Sequence, residues 1–97
     1  MPTPLARKFG ELAGSVTRVQ CPTIQCSWVR FFAPTTNVTS VYFGDSTVTI
    51  PAGTTTTTAG MELEPGADAG WRKCDNLSEF YYISTAATDD LLYETIP

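Results

Sequence analysis

From Ser15 onward, apolar residues recur in short runs closed by proline, glycine, asparagine or aspartate at intervals of about ten residues. That rhythm predicts short antiparallel strands rather than helices. The longest run, Ile24 to Phe32, places Ile24, Cys26, Trp28 and Phe32 on one face and Gln25, Ser27, Val29 and Phe31 on the other. Pro34 closes it, because proline has no N–H to give a ladder. Val38 to Phe43 follows, and Gly44-Asp45 reads as a tight hairpin turn into a strand over Ser46 to Ile50. Pro51-Ala52-Gly53 is a further turn. Met61 to Leu63 leads into Glu64-Pro65-Gly66, with proline and glycine placed as a type II turn prefers. Ser15 to Gln20 at the start, with Val16 and, out of step, Val19, and Ala69 to Lys73, Glu79 to Ser84 and Asp90 to Ile96 at the end complete the set. The pattern predicts an all-β chain: a single antiparallel β-sandwich of about eight short strands over residues 15–97.

Residues 1–14 read differently. Thr3-Pro4 has the form of a helix N-cap and first turn, and Leu5, Phe9, Leu12 and Ala13 recur at helical spacing up to Gly14. Gly10 opposes a helix, and about ten residues are marginal as an isolated helix in water. The segment is therefore expected to be an N-terminal arm, extended or briefly helical, that docks on something else. Leu5, Phe9 and Leu12 are its candidate interface residues, with Arg7 and Lys8 at the rim adding association rate more than affinity.

Composition supports the β reading and removes several chemistries. Sixteen threonines, six valines and four isoleucines stand against six leucines in 97 residues, a length suited to one domain. The absence of histidine excludes Ser-His and Cys-His catalysis and histidine-ligated zinc. A net charge of −4 argues against a nucleic-acid groove, whose affinity comes mainly from neutralised phosphates. No apolar run exceeds the four residues Phe80 to Ile83, so neither a membrane span nor a signal-peptide core is expected. The charge is uneven: residues 1–30 carry four basic side chains against one acid, and residues 31–97 carry two against nine. A basic arm on an acidic body favours association with an acidic neighbour, a second copy included.

Cys21, Cys26 and Cys74 cannot all pair within one chain. On one strand Cys21 and Cys26 would stand ~16 Å apart, beyond disulfide reach unless the chain turns at Pro22. Cys26 and Cys74 can pair only if the fold brings them together. The simplest expectation is three free, buried thiols in a reducing compartment. Asn37-Val38-Thr39 and Asn76-Leu77-Ser78 match glycosylation sequons, but without a secretion signal both read as turn asparagines.

The remaining candidates are weaker. Glu62, Glu64 and Asp68 cluster, as do Asp89 and Asp90, yet neither group has calcium-loop spacing. Glu62 and Glu64 share the two-residue spacing of a glycosidase pair on a strand, but a chain this short builds no long cleft. No enzyme, metal or cofactor is expected. Trp28 is expected in the core, and Trp71 with Tyr81 is the candidate sugar platform. Apolar side chains on both faces of residues 24–32 and 80–83 exceed what a lone sandwich buries, which suggests subunit contact. The threonines of 54–58 suit either an edge strand that pairs with a neighbour or a solvated loop.

One resemblance adds to this reading. The segments Asn37-Val38-Thr39-Ser40-Val41-Tyr42-Phe43-Gly44, Leu63-Glu64-Pro65-Gly66 and Phe80-Tyr81-Tyr82-Ile83 followed by Thr85-Ala86-Ala87 occur in this order. The arrangement resembles small β-sandwich virion proteins of tailed bacteriophages, over about sixty of the 97 residues. The resemblance implies a structural protein of the capsid exterior, assembled in the host cytoplasm, that cements or decorates the shell by bridging neighbouring copies of the major capsid protein. A head–tail connector or tail component is the alternative within the same class, and a carbohydrate-binding sandwich is the alternative outside it. An oligomer is implied, and neither nucleic acid nor membrane is an expected partner.

Overall fold

Eight strands form two four-stranded antiparallel sheets in a computed structural model that describes residues 8–50 and 60–97. The strands are β1 (Lys8–Leu12), β2 (Val19–Gln20), β3 (Trp28–Phe32), β4 (Val41–Gly44), β5 (Met61–Leu63), β6 (Asp68–Lys73), β7 (Tyr81–Ser84) and β8 (Leu91–Ile96). Sheet A has the order β1-β8-β3-β6 and sheet B the order β2-β7-β4-β5. All-β sandwich architecture is as the hydrophobic pattern predicts.

Between the sheets, Val29 and Phe31 of β3 and Leu91 and Tyr93 of β8 face Val41 and Phe43 of β4, Leu63 of β5 and Tyr82 of β7. Phe31 sits 4.8 Å from Phe43 and 5.2 Å from Phe80, ring centre to ring centre, the second contact edge-on. Edge-on and tilted packing suits the aromatic quadrupole and fills the middle of the core.

The count of eight strands is reached by a different route from the expected one. Residues 8–12 are not a free arm or a helix but β1, paired with β8 from Lys8↔Thr95 to Leu12↔Leu91. Gly10 explains the choice. A Cβ there would lie 2.3 Å from the Tyr93 hydroxyl, so only glycine lets the tyrosine cross beneath β1. The glycine that weakens a helix is the one that admits this strand. Gly14 is nearly as close but against backbone, since a Cβ would lie 2.4 Å from the Asp89 carbonyl oxygen and 2.7 Å from that of Ala87. Backbone cannot swing away as a side chain can. Gly14→Ala is therefore expected to cost ~2–3 kcal/mol and Gly10→Ala ~1–2 kcal/mol, read as a lower urea midpoint at unchanged slope.

Gly44-Asp45 does turn the chain, with the Asp45 carboxylate accepting from the Thr47 amide at 2.8 Å. It does not make a hairpin. Residues 46–50 fold over the outer face of sheet B, where Val48 and Ile50 cover Tyr42, Ile83 and Tyr81 in a second small core. The apolar surplus of residues 80–83, expected at a subunit contact, is thus met by the chain's own loop. The type II turn forms as predicted: Gly66 has φ +83°, and Ala67 N donates to Glu64 O at 2.8 Å. The threonines of 54–58 lie outside the described residues, as do Leu5 and Arg7.

One end of the sandwich is fastened by side chains that take the place of backbone. Asn37 accepts from the Asp90 amide at 2.9 Å and donates to the Asp90 carbonyl at 2.8 Å, replacing two ladder bonds. Asp89, 1% exposed, accepts from the amides of Val38 at 2.8 Å and Thr39 at 2.9 Å and from the Thr39 hydroxyl. Gly14 N donates to the Asp90 carboxylate at 2.9 Å. The loops following β1, β3 and β7 meet here. Asn37 is a buried clasp, and Asn76 caps the 3-10 turn Leu77–Glu79 in a capping box with Glu79. Both sequon asparagines therefore serve local structure.

Candidate functional site: the outer face of sheet A

Residues directly opposed across antiparallel strands share a face, so the register defines the outer surface of sheet A. One row runs Phe9, Glu94, Arg30, Trp71 across all four strands. On one side of it lie Ile96, Trp28 and Lys73, and on the other Glu11, Leu92, Phe32 and Asp68. Unlike the outer face of sheet B, this face has no covering loop among the described residues. Phe9 is 67% exposed, Trp28 42% and Trp71 39%, with Phe32, Leu92 and Ile96 half-buried between them.

Trp28 is accordingly not a core residue, contrary to the sequence expectation. The error lies at Ser27. The chain bends there, so the two-residue alternation assumed through residues 24–32 breaks between Cys26 and β3. Cys26 and Val29 both point inward although three residues separate them, and Trp28 is turned outward. Val29 and Phe31 take the core role.

Arg30 organises the centre of the face. Its guanidinium donates to Glu94 Oε1 at 2.9 Å and to Asp68 Oδ2 at 3.1 Å, while its carbon lies 5.2 Å from the Phe32 ring centre and 5.5 Å from that of Trp71. A planar, weakly hydrated cation suits both tasks at once. Glu94 is only 3% exposed, so its charge is compensated by Arg30 in a desolvated setting. The result is an aromatic surface centred on one ion-paired arginine.

The other sequence candidates fall elsewhere. Of the arm residues, Lys8 is exposed at the start of β1, Phe9 joins the outer face, and Leu12 is in the core. A buried Leu12 cannot dock on a neighbour. Trp71 and Tyr81 form no common platform, since Trp71 lies outside sheet A and Tyr81 packs with the small core outside sheet B. Among the described residues, no group of three or more Cys, Asp or Glu is arranged to hold a metal ion. Asp68 is engaged by Arg30 and by the Gly70 amide at 2.8 Å, and Asp89 by the β3–β4 loop. Glu62 accepts from the Ser40 hydroxyl at 2.7 Å. No helix among the described residues is long and apolar enough to cross a membrane.

Two like charges do meet near the clasp. A hydrogen bond with Asp90, then the repulsion of its charge and partial desolvation, raise the Glu11 pKa above the ordinary value. Asp90 is also the acceptor for the Gly14 amide, so this interaction lies at the loop clasp.

Compared with known proteins, the sequence matches no family model, and neither a curated protein nor a solved structure matches it significantly.

Proposed function

We infer that the chain is a non-enzymatic structural protein of a bacteriophage virion, of the capsid cement or decoration type, which docks on the shell through the outer face of sheet A. One observation carries the docking surface: Trp28, Trp71 and Phe9 stand exposed, with Phe32 half-buried among them, around an ion-paired arginine, while the opposite sheet is covered by its own loop. Tryptophan and arginine dominate binding energy at protein interfaces, and rigid strands hold them without large ordering cost. The virion role follows from the resemblance of the strand-end and turn pattern, and the sandwich fold is in keeping with it.

Size favours a repeating partner. Four strands and about five residues give a face of ~20 by ~15 Å, or ~300 Å². A stable pairwise contact takes ~800 Å² from each partner. Tight retention therefore draws on several contacts at once, as a copy bridging neighbouring shell subunits would make, or as an oligomer would present. Counting copies in purified virions of the source phage tests the assignment. Hundreds of copies are expected for a shell protein; a dozen or fewer would move it to the head–tail junction or tail, and none would refute the virion role.

A further inference from the structure

Cys26 and Cys74 are 48 residues apart in sequence, yet their Sγ atoms lie 2.9 Å apart in the buried interior. Cys26 precedes the bend into β3, and Cys74 follows β6 directly. Backbone bonds frame the pair, from Cys74 N to Ser27 O at 3.0 Å and from Cys26 N to Asp75 O at 3.2 Å. Bringing the sulfurs to a bonded distance of ~2.05 Å requires them to close by only ~0.9 Å. Cys21 is buried separately, beside Tyr82, and has no such neighbour among the described residues.

We propose that Cys26 and Cys74 are a latent disulfide, closed by oxidation after folding, that staples the edge strand β6 to β3. The position is one where a covalent link has most to add. Among the described residues β6 pairs only with β3, and its register shifts between Arg30 and Phe32, so three regular pairs at the Cys74 end hold it in line. Edge strands with interrupted ladders are the first to open. The step needs an oxidant, for which a small-molecule disulfide suffices. The thiolate of one cysteine attacks it and releases one small thiol. The second cysteine's thiolate then displaces the other from the mixed disulfide, and the two cysteine protons leave on the two released thiols. Burial, with its contact to Cys26, pushes the Cys74 thiol up to about 12, so the pair is a slow target at neutral pH and a faster one in base.

The full-length chain would be oxidised with glutathione disulfide at pH 8, with a parallel arm in diamide, then denatured and alkylated. The expected product carries one alkyl group, on Cys21, and peptide mapping finds Cys26 joined to Cys74. Its Tm should exceed that of the reduced chain by about 10 °C or more, because the link restricts the unfolded state across a long loop. Cys21→Ser should still form the link, and Cys74→Ser should not; the comparison of oxidised with reduced wild type needs neither variant to fold. Three alkylated cysteines after both treatments, a link through Cys21, or a linked chain with unchanged Tm would overturn the proposal.

Discussion

Asp89→Ala is expected to lower the stability of the folded chain by ~3–5 kcal/mol, a large share of what a domain this size possesses. The residue is 1% exposed and accepts hydrogen bonds from two backbone amides and one hydroxyl of the β3–β4 loop. Removing it leaves the Val38 and Thr39 amides without their acceptor and the Thr39 hydroxyl, which also receives Thr85, with half its partners. Burial alone would raise the Asp89 pKa, but the bonds from Thr39 and Val38 outweigh it and hold the carboxyl below the ordinary value. A depressed folded-state pKa means stability that is fully present above the unfolded value and lost as pH falls through the folded one. The wild type should therefore lose Tm steeply below about pH 4, and Asp89→Asn should flatten that loss. Glu11 acts with the opposite sign, since its raised pKa makes acid relieve its contact with Asp90. The difference between wild type and Asp89→Asn isolates Asp89, and identical acid profiles would show that its carboxylate is not ionised in the clasp.

The second large effect separates two neighbouring aromatics. Phe31→Ala should cost ~3–5 kcal/mol, because Phe31 is fully buried against Phe43 and Phe80 and no neighbour can fill the space. Trp28→Ala, three residues earlier and larger, should cost less than ~1 kcal/mol, since its side chain lies on the open outer face. Chemical denaturation of the two variants decides between core assignments that differ only in which face of β3 turns inward. Equal losses would place both rings in the core and would remove Trp28 from the docking surface.

That contrast marks where the sequence was legible. The positions of β2 to β8, the type II turn at Pro65-Gly66 and the sandwich class follow from local turn chemistry and apolar runs, which act over a few residues. The facing of β3 does not, because both of its faces are apolar and a single bend at Ser27 reverses the parity. The first strand was hidden for a related reason. Phe9 and Leu12 fit a helical stripe, and what decides against it is Gly10 passing over Tyr93, a contact 83 residues away. Nor did the pattern announce that residues 46–50 would cover sheet B rather than pair with β4. The outer face of sheet A is half visible in the sequence: apolar side chains on both faces of residues 24–32 suggest a contact surface, but Trp28 and Trp71 become one surface only through the β3–β6 register.

The outer face of sheet A is the central claim, and binding to the shell tests it most directly. For the proposed virion role, phage heads assembled without this protein would be titrated with the full chain and with Trp28→Ala/Trp71→Ala, and bound protein measured by cosedimentation. Two truncated interface tryptophans should weaken binding about 100-fold or more, while the Tm stays within a few degrees because neither side chain is in the core. A doubly substituted chain that decorates heads as tightly as the wild type would contradict the account.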